Sequence, residues 1–209
     1  MKKKNNDDFN QGCPESLLIV ISGPSGVGKD VVINKMKERG LPFHFVITAT
    51  TRPPRSEEKH GVDYFFFTHD EFTSMIENGE LLEFATVYGQ YKGIPKTQIR
   101  EALDSGKDVV MRVDVQGAET IRELARDALL IFLTTQSEED LINRLKSRDT
   151  ETPDELKLRI ETAREEIKKT RIFDYIVTNR DNKLDETVDN IEAIIRAEHL
   201  RVDQRKVNL

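Results

Sequence analysis

The chain has 209 residues, 37% apolar and 33% charged, with a formal net charge of −6. That length suits one α/β domain carrying inserted pieces, and the acidic balance excludes general coating of nucleic acid and adhesion to a membrane surface. No apolar run approaches the roughly 20 residues that span a bilayer; Cys13, the only cysteine, excludes a disulfide framework and a zinc cluster of cysteines and histidines.

Residues 1–15 read as a disordered polar tail, and 16–209 as the folded domain. The tail lacks the apolar stretch of a signal peptide, and its Asp7 and Asp8 do not suit a transit peptide. The expected location is therefore a soluble one: cytoplasm, or the interior of a plastid or mitochondrion if a presequence has been removed. Leu17 to Ile21 reads as a buried strand and Lys29 to Arg39 as a helix closed by Gly40. Between them lies Gly23-Pro24-Ser25-Gly26-Val27-Gly28-Lys29-Asp30. Strand, glycine-rich turn, lysine and helix form the P-loop context. Backbone N–H groups curl round a phosphate there, and the lysine and the helix N-terminus add positive potential. Lys29 is expected to reach the β- and γ-phosphates of a donor nucleotide. The motif asks for Ser or Thr next, to place a hydroxyl on Mg²⁺, and this chain has Asp30.

Phe43 to Ile47 reads as a second strand, running into Thr48 to Arg55, where Pro53 and Pro54 forbid helix. Gly61 to Phe67 reads as strand, and Thr68 caps a helix that ends at Gly79. Leu81 to Val87 and Tyr91 to Ile94 form a hairpin-like pair around Gly89-Gln90. Pro95 is expected at the first position of a helix reaching Gly106, followed by a β-rich run from Asp108 to Val113, a turn over Asp114 to Gly117, and a helix from Ala118 to Ala125. Leu129 to Leu133 is a further strand, and Ser137 caps a helix carrying Leu141, Ile142 and Leu145 on one stripe. Residues 148–153 break the pattern before a charged helix from Asp154 to Lys169. Tyr175 to Val177 is a last strand and Leu184 to His199 a last helix, with Arg201, Arg205 and Lys206 in a solvated tail. Strands alternating with helices predict an α/β fold, a parallel sheet covered by helices on both faces. The strand-rich stretch 52–94 reads as an inserted small β-rich subdomain. The core is then 16–51, 95–143 and 171–200, and 144–170 a helical lid.

Two groups of arginines stand out. Arg52 and Arg55 lie on the proline-bearing loop, where they are either a phosphate clamp or solvated charges. Arg144, Arg148 and Arg159 bracket the break at 149–153, either as a lid closing over a transferring phosphoryl group or as an exposed face. Glu83 and Asp114 are acids in or just after apolar strands; they serve a nucleobase presenting N–H groups or a structural hydrogen bond.

Taken together, several motifs in order resemble the guanylate kinase family from Ser16 to about Glu198. They are GPSGVGKD at 23–30, TATTRPPR at 48–55, GVDYFF at 61–66, ENGELLEFATVYGQYKG at 77–93, VDVQG at 113–117, RLKSRDTET at 144–152 and Ile176 to Asn179. The resemblance implies transfer of a phosphoryl group from ATP to GMP, with dGMP as a further acceptor and Mg²⁺ accompanying ATP. It implies a P-loop of Gly23, Pro24, Ser25, Gly26, Val27, Gly28, Lys29 and Asp30, with Asn179 near the adenine. Arg52, Arg55 and Tyr64 would hold the GMP phosphate, Thr48, Glu83 and Asp114 the guanine edge, and Lys29, Arg144, Arg148 and Arg159 would be catalytic. Nucleic acid and membrane are not implied as partners, and the chain suits a monomer or a homodimer.

The sequence departs from the family at Asp30, at Arg112, where the family has the first Asp of an Asp-x-Asp-x-Gln-Gly run, and at Lys92 and Ile94, where Tyr and Ser or Thr contact the GMP. Lys92 offers a charge to the phosphate instead, and the pattern is similar to that of plastid-type plant members. Losing an acid at 112 while gaining one at 30 suggests a linked pair, with Asp30 contacting Mg²⁺ directly or through water and Arg112 as its partner or as a phosphate contact. Simple capping of the helix start is the other reading of Asp30. Two other functions fit parts of the chain: a phosphopeptide-binding module of the same fold, and a P-loop kinase with another acceptor such as a ribose phosphate. Retention of Lys29 and the lid arginines argues against the first, and Glu83 with Asp114 against the second.

Overall fold

The computed structural model describes residues 15–87, 89–146 and 153–209. Its centre is β1 (Leu18–Ser22), in which every residue is buried. A run of apolar residues without alternation is what a strand covered on both faces requires. β1 lies between β7 (Val109–Arg112) and β8 (Leu129–Thr134), with β2 (His44–Phe45) and β9 (Tyr175–Thr178) at the edges. All four pairings are parallel. Around this sheet pack α1 (Lys29–Glu38), α3 (Lys96–Asp104), α4 (Val115–Leu124), α5 (Glu138–Lys146), α6 (Pro153–Lys168) and α7 (Leu184–His199). Alternate β1 residues feed two cores: Ile19 and Ile21 meet Val32, Met36 and Ile191 on one face, and Leu18 and Val20 meet Ile99, Ala118 and Ile121 on the other. Among the described residues no helix is long and apolar enough to cross a membrane.

A second sheet has the order β4-β3-β6-β5. It comprises β3 (Ala49–Thr50), β4 (Phe65–Phe66), β5 (Leu81–Val87) and β6 (Gln90–Pro95). It takes in Ala49 and Thr50, two residues of the stretch that the sequence reading gave to the core. Under it lies α2 (His69–Glu77), which buries Phe72 and stacks it against Tyr91. Thr68 and Glu71 form a reciprocal capping box at the start of that helix.

Several elements differ from expectation. The strand expected over Gly61 to Phe67 shrinks to Phe65–Phe66, because Lys59 to Asp63 turns back on itself through Val62 and Asp63 amides donating to the Lys59 carbonyl. Pro95 ends β6 in extended backbone, so α3 starts one residue later, at Lys96. Asp114 to Gly117 is not a turn. Asp114 caps α4, accepting from the Gly117 N–H at 2.7 Å, and the helix runs from Val115. The C-terminal residues are only in part a solvated tail: Arg201 and Lys206 are exposed, whereas Arg205 is tucked in. Glu198 is 2% exposed, and a buried carboxylate needs donors. Tyr175 Oη donates to it at 2.6 Å and Arg205 Nε at 2.7 Å, while Val207 and Leu209 pack against the core.

Candidate functional site

The loop after β1 is shaped by close approach. Gly23, Gly26 and Gly28 have φ of +143°, +90° and +94°, a region that side chains disfavour. A Cβ on Gly23 would stand 2.1 Å from the Leu133 carbonyl oxygen, and one on Gly28 2.5 Å from Asn179 Nδ2. Two side chains brace the loop from behind. Asn179, 6% exposed, donates to the Val27 carbonyl at 2.9 Å and accepts from the Thr187 hydroxyl. Arg144 donates to the same Val27 carbonyl, to the Asn179 carbonyl and to Asp181. Lys29 Nζ curls over the loop, donating to the carbonyls of Gly23 (2.5 Å) and Pro24 (3.0 Å). Val27 is buried, with Ser25 and Pro24 at the turn. Arg159 is half-buried on α6, and Arg148 lies outside the described residues.

Sequence reasoning missed Glu166 on α6. Its carboxyl is pushed above the usual carboxylate range by burial, against the pull of Lys29 and of a backbone N–H donated by Ser25. The available signal was its spacing: it lies three positions beyond Ala163, the one fully buried residue described on that helix.

Across from the loop is a cavity of about 150 Å³. Thr48, Tyr64, Glu83, Lys92, Arg112 and Asp114 line it, together with Ile94. Asp114 is placed by the start of α4, and Glu83 by β5. Both acids gather beside Gly117, where a Cβ would lie at ordinary contact distance from each, 3.4 Å from Asp114 Oδ1 and 3.5 Å from Glu83 Cδ. Burial, and next the Asp114 charge, pushes the Glu83 carboxyl up to about 7. Tyr64, Lys92 and Arg112 line the same cavity, so it presents both acidic and cationic groups.

Arg52 stands one layer outside. Its guanidinium lies over the Tyr64 ring, 4.8 Å from the centroid. Glu58 holds it in a fork, with Arg52 Nη1 donating to Oε2 at 2.7 Å and Nη2 to Oε1 at 2.5 Å. The Arg55 N–H donates to the same carboxylate at 2.8 Å, while the Arg55 side chain is exposed. These donors hold the Glu58 carboxyl down at about 2. Glu58 was also missed, and nothing in its local spacing marks it off from Glu57 beside it.

Asp30 pairs with Arg112 Nη1. A second cavity, of about 110 Å³, lies along this pair and shares Thr48, Tyr64 and Arg112 with the first. Among the described residues there is no group of three or more His, Cys, Asp or Glu that could hold a metal ion.

A glycine-rich loop between β1 and α1 of a parallel sheet, with a cavity lined by both acids and cations, defines a P-loop α/β protein. The profile of the guanylate kinase family matches residues 15–198. Among similar proteins, "Guanylate kinase 2, chloroplastic/mitochondrial" of Oryza sativa subsp. japonica is 52% identical over 94% of this chain and 69% of its own length. A "Guanylate kinase" of Lactococcus lactis subsp. lactis is 43% identical over 90% of this chain and 91% of its own. The crystal structure of guanylate kinase from Anaplasma phagocytophilum superposes with a TM-score of 0.69 at 30% identity, covering 90% of this chain and 89% of that one. The chain belongs to the guanylate kinase family.

Proposed function

We propose that the chain transfers the γ-phosphoryl group of ATP to GMP, giving ADP and GDP, with the P-loop as donor site and the cavity of acids and cations as acceptor site. One observation carries the assignment of the acceptor: Glu83 and Asp114 meet beside Gly117 in a cavity that Tyr64, Lys92 and Arg112 also line. Carboxylates accept from guanine N1–H and N2–H₂, donors that adenine does not present in that arrangement, and Thr48 completes the base edge. Tyr64 and Lys92 face the phosphate, with Arg52 and Arg55 behind them. Residues 52–94 then serve as the GMP-binding piece and 144–170 as the lid, with Arg148 in it.

The acceptor oxygen is already anionic, so no strong base is required. That oxygen bonds to the γ-phosphorus as the bond to the β–γ bridging oxygen breaks and ADP leaves. Alignment and neutralisation of charge supply the rate. Lys29 reaches the β- and γ-phosphates, Arg144 and Arg159 supply cations from the lid side, and Asn179 braces the loop near the adenine. Asp30 follows Lys29 in the first turn of α1 with its side chain 62% exposed. That position suits a residue that would help to hold a magnesium ion accompanying ATP. The ion would supply positive charge to the transferring phosphates.

A coupled assay of ADP release across GMP, dGMP, AMP, UMP and a ribose bisphosphate tests this. Turnover is expected with GMP and dGMP and at background with the rest. Equal turnover with AMP overturns the acceptor assignment, and phosphopeptide binding without turnover on any acceptor overturns the enzyme.

A further inference from the structure

We infer that Arg112 is a direct contact for the phosphate of the acceptor and that Asp30 is the residue that positions it. The inference rests on the reading of the cavity as a GMP site and adds a residue to it. Arg112 is the last residue of β7, in register with Ile21 of β1, the strand that leads into the phosphate loop. Val109, Val110 and Met111 before it are buried, whereas the Arg112 side chain is 39% exposed. A guanidinium at the end of a buried strand has a fixed root, unlike one on a lid or a loop.

Asp30, on the opposite side of the seam, engages Arg112 Nη1. A guanidinium has five N–H donors in a planar fork, so a carboxylate on one nitrogen leaves Nη2 and Nε to serve an anion. That anion lies in a defined direction. Arg112 lines both cavities, and Thr48 and Tyr64 are the other residues common to the two. On one side is the acidic pair, Glu83 with Asp114; on the other is the start of α1, where Lys29 precedes Asp30. A phosphate bridging base site and donor loop has to pass this seam. Glu83 and Asp114 would repel it, and Arg112 is the cation rooted in the main sheet that offsets them. Position 30 thus holds an acid because position 112 holds an arginine, and the pair keeps a bidentate phosphate donor aimed at the seam.

The test uses titration calorimetry on the full chain, without magnesium so that any metal contact of Asp30 is silent. GMP and guanosine are the ligands, and KM for ATP is measured separately. Arg112→Gln and Arg112→Ala are expected to weaken GMP by about 10- to 100-fold, the range for a charged hydrogen bond. Guanosine, which lacks the phosphate, should keep its affinity within about twofold. Asp30→Asn should weaken GMP less, and should add nothing in the Arg112→Gln background, because it acts through the guanidinium. Unchanged GMP affinity in both Arg112 variants overturns the inference, as does equal loss of GMP and guanosine, or an effect confined to ATP. Wild type failing to bind GMP overturns the underlying site reading and this one with it, which separates the two failures.

Discussion

The two halves of the site are built by different means. The donor loop is mostly backbone: it leaves a wholly buried strand, bends through three glycines of positive φ, and is braced from behind by Asn179 and Arg144. The acceptor cavity is mostly side chains, brought from β5, β6, the end of β7, the cap of α4, and Thr48 and Tyr64 just before the two-residue strands β3 and β4. A backbone site is specified by where the chain can go, with Lys29 as the cation that belongs to the loop itself. A side-chain site is specified by several groups that each contribute part, so its losses are graded. Substitutions on the two sides should therefore fail in different ways.

The donor side should give the largest effect. Lys29→Met removes the charge that the loop carries over its own carbonyls. It is expected to lower kcat by about 10³-fold, the upper range for loss of one preorganised electrostatic group. GMP affinity and the melting temperature should hardly move, because the glycines and Asn179 keep the loop shape. A loss read mainly in KM for GMP would break the division between the two halves.

A smaller and pH-dependent effect is expected at the acidic pair. Glu83→Gln leaves Asp114 as the remaining acceptor and should weaken GMP by about 10-fold, near the lower end for a hydrogen bond to a charged group. Wild-type affinity for guanosine, which has no phosphate to titrate in this window, should rise with pH through about 7 as the Glu83 carboxyl ionises; the variant's should be flat there. Stability carries the opposite sign. The folded pKa stands above the ordinary 4.5, so the folded state holds a proton that the unfolded chain releases. That contribution is complete below about 4.5 and is lost as pH rises through about 7. Glu83→Gln should therefore melt higher than wild type at pH 8 and not at pH 4.5, in the absence of nucleotide. Parallel melting and binding profiles in the two proteins would refute the assignment of Glu83 as the titrating group.

How much of this was legible in the sequence follows from the same contrast. The phosphate loop is eight contiguous residues between an apolar run and a helix, so spacing alone exposes it. Thr48, Tyr64, Glu83, Lys92 and Asp114 are scattered over 67 positions, and only resemblance to a family put them together on the page. Asp30 and Arg112 were visible as two departures from a pattern, and their contact needed the β1–β7 register. Glu58 gave no such signal and Glu166 only its spacing from Ala163, because a glutamate that meets an arginine or a backbone amide reads like any exposed acid until the chain is folded. The C-terminal segment misled for a related reason: Arg205 looks solvated by composition, and its partner is a carboxylate buried seven residues earlier.

The smallest expected effect sharpens the comparison most, since it asks whether the acceptor side has a preorganised layer of its own. Glu58 holds both Arg52 nitrogens and the Arg55 amide, so the loop at 52–58 is tied by one carboxylate. With that carboxyl held down at about 2, the tie is intact at any pH where the enzyme works. If Glu58 orients Arg52 on the Tyr64 ring for the incoming phosphate, Glu58→Gln should raise KM for GMP by a few fold, about fivefold, as a partly exposed ion pair warrants. kcat and the affinity for guanosine should stay as they are, and Glu58→Asp, with a shorter reach, should lie nearer to Gln than to wild type. If instead Glu58 competes with the phosphate for Arg52, Glu58→Gln should lower KM for GMP, because the arginine is released to its ligand. The direction of that one change decides whether the acceptor side is prearranged, as the donor loop is, or assembled by the nucleotide.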